Sequence, residues 1–239
     1  MKRKITIVLF ILLALLIPFN ISSNHIDAGT INSSLNNLSI ELVSAPSIDT
    51  KIRKATVKVF TPSGGHGSGT YFVFEGYHVV LTAAHVVDNG NIYMVVNEKG
   101  DSRMGEVAHI DIDKDFAILL IPEFKEVKPI KLKLPKYDIL DKIGERVVFS
   151  GYPADQSLST VYGEIAGFEK DIFVIHSAAW MGSSGSCVFD KSGNFLGVVV
   201  AVGVAKFRGE PVLLEDMVWA LSSSAIDWKH AEDSLRSMN

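Results

Sequence analysis

The segment "AWMGSSGSCVFD", Ala179–Asp190, places three serines and the only cysteine of the chain beside two glycines. Such a segment is either a tight glycine turn that leads into a strand or the surroundings of a reactive side chain. A serine hydroxyl becomes a good nucleophile only when an adjacent base accepts its proton and a third group orients that base. The second interpretation therefore requires a base and an orienting group elsewhere in the sequence.

The composition is that of a globular protein with a substantial core, because 47% of the 239 residues are hydrophobic and 21% are charged. The net charge of −4 is dispersed along the chain, so we expect no nucleic-acid partner. A single cysteine cannot form an intramolecular disulfide. We expect Cys187 to be a small buried residue at the start of a strand, with pairing between chains as the alternative.

The amino-terminal segment has three basic residues followed by an apolar run, Ile5–Ile17, that ends at Pro18. This pattern predicts a secretory signal peptide over residues 1–23. An uncleaved membrane anchor over residues 5–21 is the alternative, since the run approaches the length of about 20 residues that spans a bilayer. Either outcome places the remaining chain outside the cytoplasm, secreted or attached to a membrane. Residues 24–50, rich in Ser and Asn, are predicted to form an arm.

The chain after residue 50 contains short runs rich in β-branched and aromatic residues, such as Gly69–Phe74 and Phe116–Ile121. Turn residues separate these runs roughly every 8 to 12 residues, which predicts an all-β sandwich or barrel. The alternation of strands and helices typical of a parallel sheet is not visible. The tail, Ser222–Asn239, predicts one amphipathic helix with a serine at its N-cap and Trp228 as an anchor.

Two further segments supply the base and the orienting group. In "HVVLTAAHVV", His85 follows small residues at the end of an apolar strand. In "DKDFAILLI", Asp115 directly precedes a strongly apolar strand, where an ionised carboxylate needs solvent or a partner. Considered alone, His85 would be interpreted as a core or surface histidine without a catalytic role, Asp115 as a cap at the start of a strand, and Ser184 as part of a glycine turn. Taken together in the order His, Asp, Ser, they favour catalysis.

These blocks, "TAAH" at Thr82–His85, "DFAIL" at Asp115–Leu119 and "GSSGS" at Gly182–Ser186, resemble those of trypsin-like serine proteases of the chymotrypsin fold. The resemblance implies an all-β fold of two six-stranded antiparallel β-barrels with a C-terminal helix. The protease domain would cover residues 51–239, with its halves split near 125–142. The glutamyl endopeptidase group and the protease domain of periplasmic heat-shock serine proteases are the most similar in motif.

The resemblance implies a role for each matched residue. Ser184 would attack the scissile bond and form an acyl-enzyme, His85 would act as general base, and Asp115 would orient the imidazole. The backbone amides of Gly182 and Ser184 would form the oxyanion hole. The side chain before the scissile bond would enter a pocket that is expected to be lined by Ala178, Ala179, Val200 and Ala201, which favours a small or medium apolar residue.

One departure from the family pattern is Ser183, which replaces an Asp that pairs with a freed amino terminus in activated digestive proteases. This implies an oxyanion hole that is set without zymogen-type activation, or one that a ligand or activating partner orders. We expect no cofactor and no metal, because the histidines lack ligand spacing and one cysteine cannot build a thiolate site. The expected partner is a protein or peptide substrate. The alternatives are a catalytically silent protease-like binding module and a structural surface protein.

Overall fold

The computed structural model describes residues 47–154, 156–207 and 210–238, and within these the side chains of residues 204–213 and 215 are not described. The predicted signal or anchor segment, residues 1–23, and residues 24–46 of the predicted arm lie outside the described residues.

One helix opens the described chain and another closes it, with thirteen strands between them. The helices are α1 (Ile48–Ala55) and α2 (Trp228–Arg236), and neither is long and apolar enough to cross a membrane. The strands are β1 (Thr56–Phe60), β2 (His66–Phe74), β3 (Tyr77–Thr82), β4 (Ile92–Asn97), β5 (Ser102–Asp111), β6 (Phe116–Leu120), β7 (Ile130–Lys131), β8 (Arg146–Gly151), β9 (Ser159–Glu169), β10 (Ile172–His176), β11 (Cys187–Asp190), β12 (Phe195–Phe207) and β13 (Glu210–Ser222).

The first six strands close into a barrel. Their order is β1-β4-β5-β6-β3-β2, and antiparallel pairing of β1 with β2 completes the ring. The short strand β7 adds to β2 in parallel orientation, with Phe72 opposite Ile130. A closed sheet leaves no free edge along the barrel, apart from the outer side of this addition.

The second barrel is also closed and antiparallel, with the order β8-β9-β10-β13-β12-β11. The two six-stranded barrels and the C-terminal helix confirm the fold class expected from the sequence. The connection between the barrels runs from Ile121 to Glu145 and contains β7 and a 3-10 turn at Ile139–Lys142.

Helix α1 was not predicted, since its residues fall in the predicted arm and in the first half of a predicted strand. Ile52 and Ala55 lie on one face and are fully buried. Asp49 is in the first turn, and Arg53 and Lys54 are in the last, an arrangement that complements the helix dipole. The apolar spacing covers only a single turn inside a charged segment, so the sequence does not distinguish this helix from a strand.

Strand β5 was also missed, although it is ten residues long. Only Gly105 and His109 are buried along it, whereas the positions around them are exposed or half-buried. A strand whose inward positions carry glycine and histidine lacks the alternation of apolar and polar residues by which strands are recognised.

The largest core lies between the two barrels. It joins buried residues of the first barrel, among them Phe72 and Phe116, to Phe189 and Phe195 of the second. The rings of Phe72 and Phe189 are stacked with centroids 6.0 Å apart, and Phe195 meets both edge-on. Each barrel interior holds a separate cluster of buried residues. The aromatic cluster between the barrels therefore sets their relative position.

Helix α2 covers this interface, and Trp228 is the anchor that the sequence predicted. Its indole ring lies 5.5 Å from Phe74 and 5.9 Å from both Phe116 and Phe195. The indole N–H donates to the Ser223 carbonyl over 2.9 Å. The N-cap is Asp227 instead of the predicted serine, because the serines before it form a separate 3-10 turn.

Replacing Phe189 by alanine is expected to lower the free energy of unfolding by about 3–5 kcal/mol, since it opens a cavity in the aromatic cluster between the barrels. Urea denaturation followed by far-ultraviolet circular dichroism measures this change. The control Leu140→Ala removes a side chain that is 53% exposed and should change the free energy by less than about 0.5 kcal/mol. Equal effects of the two substitutions would contradict the role of the cluster.

Candidate active site

His85 and Asp115 form a close pair at the edge of the first barrel. His85 lies in a 3-10 turn, Ala84–Val86, directly after β3. Asp115 Oδ2 accepts a hydrogen bond from His85 Nδ1 over 2.7 Å, and Asp115 Oδ1 accepts one from the His85 backbone N–H over 2.9 Å. With Nδ1 donating to a carboxylate, Nε2 of the neutral ring is left as the proton acceptor. The carboxylate therefore fixes both the position of the turn and the tautomer.

The pKa of His85 is raised above its usual value of 6.5, chiefly by the hydrogen bond to Asp115. Desolvation opposes this shift, whereas the charges of Asp115 and Asp88 add to it. Because the folded-state pKa is raised, the imidazolium–carboxylate pair stabilises the fold below pH 6.5, and this contribution is lost as the pH rises through the folded-state pKa.

Asp115 adopts a left-handed backbone conformation, with φ at +55°. Aspartate is among the few residues other than glycine that tolerate this region. Its N–H donates to the Ile112 carbonyl over 3.3 Å, and β6 begins at the next residue, Phe116. The tight turn therefore places the carboxylate at the barrel edge beside His85, where its side chain is 29% exposed.

Ser184 lies on a loop that connects to both barrels. Its carbonyl accepts a hydrogen bond from Ser68 N–H of β2 over 2.8 Å, and the next N–H, of Gly185, donates to Val199 of β12 over 2.8 Å. Gly185 has φ at +88°, and a side chain there would collide with the Ser68 carbonyl and Thr82 Oγ1. Only glycine fits this position. The absence of a side chain lets the Ser184 loop pack against the end of β3, which His85 follows.

Ser68 holds the two halves of the site together and was missed by the sequence analysis. Its hydroxyl donates to the Gly182 carbonyl over 2.7 Å and accepts from the Tyr152 N–H over 2.9 Å. Its carbonyl accepts a hydrogen bond from Thr82 Oγ1 over 2.7 Å. Ser68 is fully buried. The glycines on either side of Ser68 are the only local signal, and they do not show its partners.

Residues Trp180–Ser183 form a β-turn, in which Ser183 N–H donates to the Trp180 carbonyl over 2.9 Å. Gly182, the third residue, has φ at +95°, whereas Met181 does not have a positive φ. This combination defines a type II turn, which requires glycine at the third position. The Met181 carbonyl accepts from Ala154 N–H over 2.5 Å. Since C=O and N–H of a trans peptide point in opposite directions, the Gly182 N–H points away from Ala154.

Within the described residues, the N–H groups of Gly182 and Ser184 donate to no protein acceptor. Two free amide donors beside a serine are the arrangement that binds an oxyanion. Among the residues that the structure describes, no hydrogen bond joins the Ser184 hydroxyl to His85. Such bonds are often long without substrate and tighten only in the complex.

A cavity of about 330 Å³ lies beside the loop that carries Ser184. Two of the predicted pocket residues, Ala178 and Ala179, are in its lining, with Trp180 and Ser183. The other two, Val200 and Ala201, lie on β12 and are not among the lining residues. The second barrel supplies the rest of the described lining, which consists of Phe149, Gly151, Pro153, Ser159 and Val161. None of the described lining residues is charged. The role of all four predicted residues remains a prediction.

Cys187 is fully buried at the first position of β11, as the sequence predicted. Burial raises the pKa of its thiol to about 12, so the reactive thiolate is scarce at neutral pH.

Across the described ranges, His, Cys, Asp and Glu side chains form no group of three that could hold a metal ion. The expectation that the protein uses no metal remains a prediction.

A model of the trypsin-like peptidase domain matches residues 67–198, which is more than half of the chain and includes His85, Asp115 and Ser184. The chain belongs to the trypsin-like peptidase family. Among relatives of this family, a probable periplasmic serine endoprotease DegP-like of Bartonella henselae is 28% identical over 148 residues, which cover 57% of this chain and 28% of that protein. The chain spans about a third or less of the length of the curated relatives it matches.

Solved structures of trypsin-like peptidases show the same fold. The serine endoprotease from Yersinia pestis superimposes with a TM-score of 0.61 at 20% identity, covering 82% of this chain and 69% of that one. The inactive form of the Rv3671c protease, from M. tuberculosis, gives a TM-score of 0.61 at 22% identity, covering 80% and 94%. Both likenesses extend across the two barrels.

The ring of His85 is expected to titrate above pH 6.5 because of its hydrogen bond to Asp115, and Asp115→Asn is expected to lower that pKa. Proton–carbon NMR of the histidine ring signals measures both values. Asp88→Asn is the matched control, since Asp88 acts on His85 only through its charge and should move the pKa less. A larger shift in the control would show that the Asp115 hydrogen bond does not dominate.

Proposed function

We propose that this protein is an extracytoplasmic serine endopeptidase that hydrolyses peptide bonds through an acyl-enzyme on Ser184. The observation that carries the proposal is the His85–Asp115 pair, whose geometry leaves Nε2 as a base at the edge of the barrel to which the Ser184 loop is bonded. The serine endoprotease relatives support it. The catalytically silent binding module is the alternative outcome of the experiments below.

The first half of the reaction transfers the acyl group to the protein. Ser184 Oγ attacks the carbonyl carbon of the scissile peptide, and His85 Nε2 takes the hydroxyl proton. The carbonyl oxygen becomes an oxyanion, to which the N–H groups of Gly182 and Ser184 donate. The C–N bond then breaks, and His85 returns the proton to the leaving amine. Asp115 stays ionised and stabilises the imidazolium between these steps.

The second half releases the acid. A water molecule attacks the acyl-enzyme carbonyl while His85 Nε2 takes one of its protons, and the same two amides stabilise the second oxyanion. The Ser184 C–O bond breaks, and His85 returns its proton to Ser184 Oγ. The protein ends in its starting protonation state, so the cycle consumes one water and requires no other reactant.

The location and domain limits are part of this proposal. We assign residues 1–23 as signal peptide or anchor, with residues 5–21 as the segment that would attach to a membrane. Residues 24–50 would form the arm, and residues 51–239 the protease domain, split near 125–142. The word periplasmic in the names of the DegP-like relatives supports an extracytoplasmic location.

The nature of the substrate pocket also remains a proposal. The described residues of the cavity lining carry no charge, which favours an uncharged, small or medium apolar side chain on the substrate. Ala178 and Ala179 would form one wall of this pocket. The type II turn that exposes the Gly182 N–H is already present, which supports activity without the activating partner that was the alternative.

Fluorophosphonate treatment of the full-length protein is expected to add one phosphonyl group, because the reagent reacts only with an activated serine. Intact-mass spectrometry measures the adduct. Ser184→Ala should abolish it, whereas Ser186→Ala should retain it, since the buried Ser186 hydroxyl has no hydrogen-bond partner among the described residues. A folded parent without adduct would reject the endopeptidase and leave the silent binding module.

Gly182→Ala is expected to slow fluorophosphonate labelling by about 10²–10³-fold, the cost of losing one oxyanion donor. The new Cβ would lie 2.5 Å from the Tyr152 carbonyl oxygen, so the turn has to move and its N–H changes direction. Gly100→Ala is the matched control, because Gly100 also has a positive φ but a Cβ added there would have no heavy atom within 4 Å. If both variants label at the parent rate, the Gly182 amide is not part of the oxyanion hole.

A further inference from the structure

Four directly paired positions form a row across the outside of the first barrel. His66 of β2 is opposite Phe60 of β1, Phe60 is opposite Met94 of β4, and Met94 is opposite Met104 of β5. Side chains at directly opposed positions of antiparallel strands lie on the same face and contact each other. The row therefore continues without interruption over four adjacent strands.

The outer part of this row is apolar and exposed. Met94 is 41% exposed and Met104 is 58% exposed, and Ile92, two residues before Met94 on the same face, is 59% exposed. The neighbours Tyr93 and Val95 point inward and are buried. We call Phe60, Ile92, Met94 and Met104 the barrel-1 strip. Contiguous apolar patches on a soluble protein commonly mark binding surfaces.

The inner end of the barrel-1 strip meets the candidate active site. The His66 ring lies 6.5 Å from the Phe60 ring, and its Nε2 donates to the Tyr152 carbonyl over 2.9 Å. A Cβ on Gly182 would be 2.9 Å from this same nitrogen. Two residues further along β2, Ser68 N–H binds the Ser184 carbonyl. The strip is thus continuous with the turn that supplies the oxyanion donors.

The length of the row matches a short extended peptide. Neighbouring strands lie about 4.8 Å apart, so the three steps from His66 to Met104 cover about 14 Å. An extended chain advances about 3.3 Å per residue, so about four residues span the same distance.

We propose that the barrel-1 strip is a second binding surface for the polypeptide substrate, which takes a large apolar side chain several residues from the scissile bond. This inference rests on the proposed function, since the occupant is the substrate held at Ser184. The continuity of the strip with the oxyanion turn is what selects the substrate over other occupants. Methionine side chains adapt to apolar groups of different shape, so the strip accepts leucine, isoleucine, phenylalanine and methionine alike.

The first test compares two substrates on the double variant Met94→Gln/Met104→Gln of the full-length protein. Glutamine keeps the length of methionine but removes its apolar surface. Cleavage of β-casein is expected to lose about tenfold in kcat/KM, through a higher KM, because the apolar burial is lost. Hydrolysis of p-nitrophenyl acetate, which is too small to reach the strip, is expected to be unchanged. The double variant Leu140→Gln/Ile143→Gln, at residues 53% and 64% exposed on the second half of the chain, should leave both rates unchanged.

A fall of both rates in the strip variant, or an equal loss of casein cleavage in the control, would overturn the proposal.

The strip is also tested without catalysis, by the fluorescence anisotropy of labelled β-casein titrated with Ser184→Ala. Adding Met94→Gln/Met104→Gln to this variant should raise the Kd about tenfold. This binding result does not depend on turnover, so failure of the proposed function and failure of the strip are separate outcomes. Sedimentation that shows a parent dimer and a variant monomer would assign the strip to self-association and overturn the proposal.

Discussion

The hydrogen bonds of Ser68 are the interaction on which the geometry of the site depends. The nucleophile candidate and its base lie on different barrels, so their positions are only as fixed as the contact between the barrels. Ser68 supplies this contact through its N–H, which binds Ser184, and its hydroxyl, which binds Gly182, while its carbonyl is bonded to Thr82 of its own barrel. Because the residue is fully buried, water does not compete for these bonds. The aromatic cluster beneath them resists sliding of the barrels.

Two residues with positive φ accompany this arrangement. Asp115 and Gly182 both occupy the left-handed region, one to place a carboxylate and the other to turn an amide outward. A residue with a side chain keeps such a conformation only where the surroundings determine it, whereas glycine adopts it freely. At Asp115 the compensation is a pair of hydrogen bonds from His85. The Gly182 turn is held in place by the bond from Ala154 to the preceding carbonyl and the bond from Ser68 to the Gly182 carbonyl.

The sequence predicted an all-β fold and three candidate catalytic residues because each is marked by a local pattern, whereas the two six-stranded barrels were expected from the resemblance to trypsin-like serine proteases. The segments around His85, Asp115 and Ser184 are short and contiguous, and the strands that precede or follow them are strongly apolar. The terminal helix could be predicted from the spacing around Trp228. These features need no knowledge of what lies opposite them in the fold.

Features that depend on distant pairing could not be predicted. Ser68 and Gly182 are 114 positions apart in the chain, so neither segment shows that they are bonded. Strand β5 was missed because its inward positions hold Gly105 and His109, and α1 because its apolar face is only two residues wide. The expected pocket residues Val200 and Ala201 were taken from the strand downstream of Ser184, whereas the cavity beside the loop is lined in part by β8 and β9, and their role stays a prediction.

The division of the site between the barrels also constrains when it exists during synthesis. The first barrel, which ends with β6 at Leu120, carries His85 and Asp115 but neither the candidate nucleophile nor the free amides. The second barrel carries Ser184 and Gly182, but the donors that hold their carbonyls come from Ser68 of the first. A chain of which only one barrel has folded therefore lacks the assembled site. Assembly therefore has to wait for the last strands, so the site is complete only when folding is nearly finished.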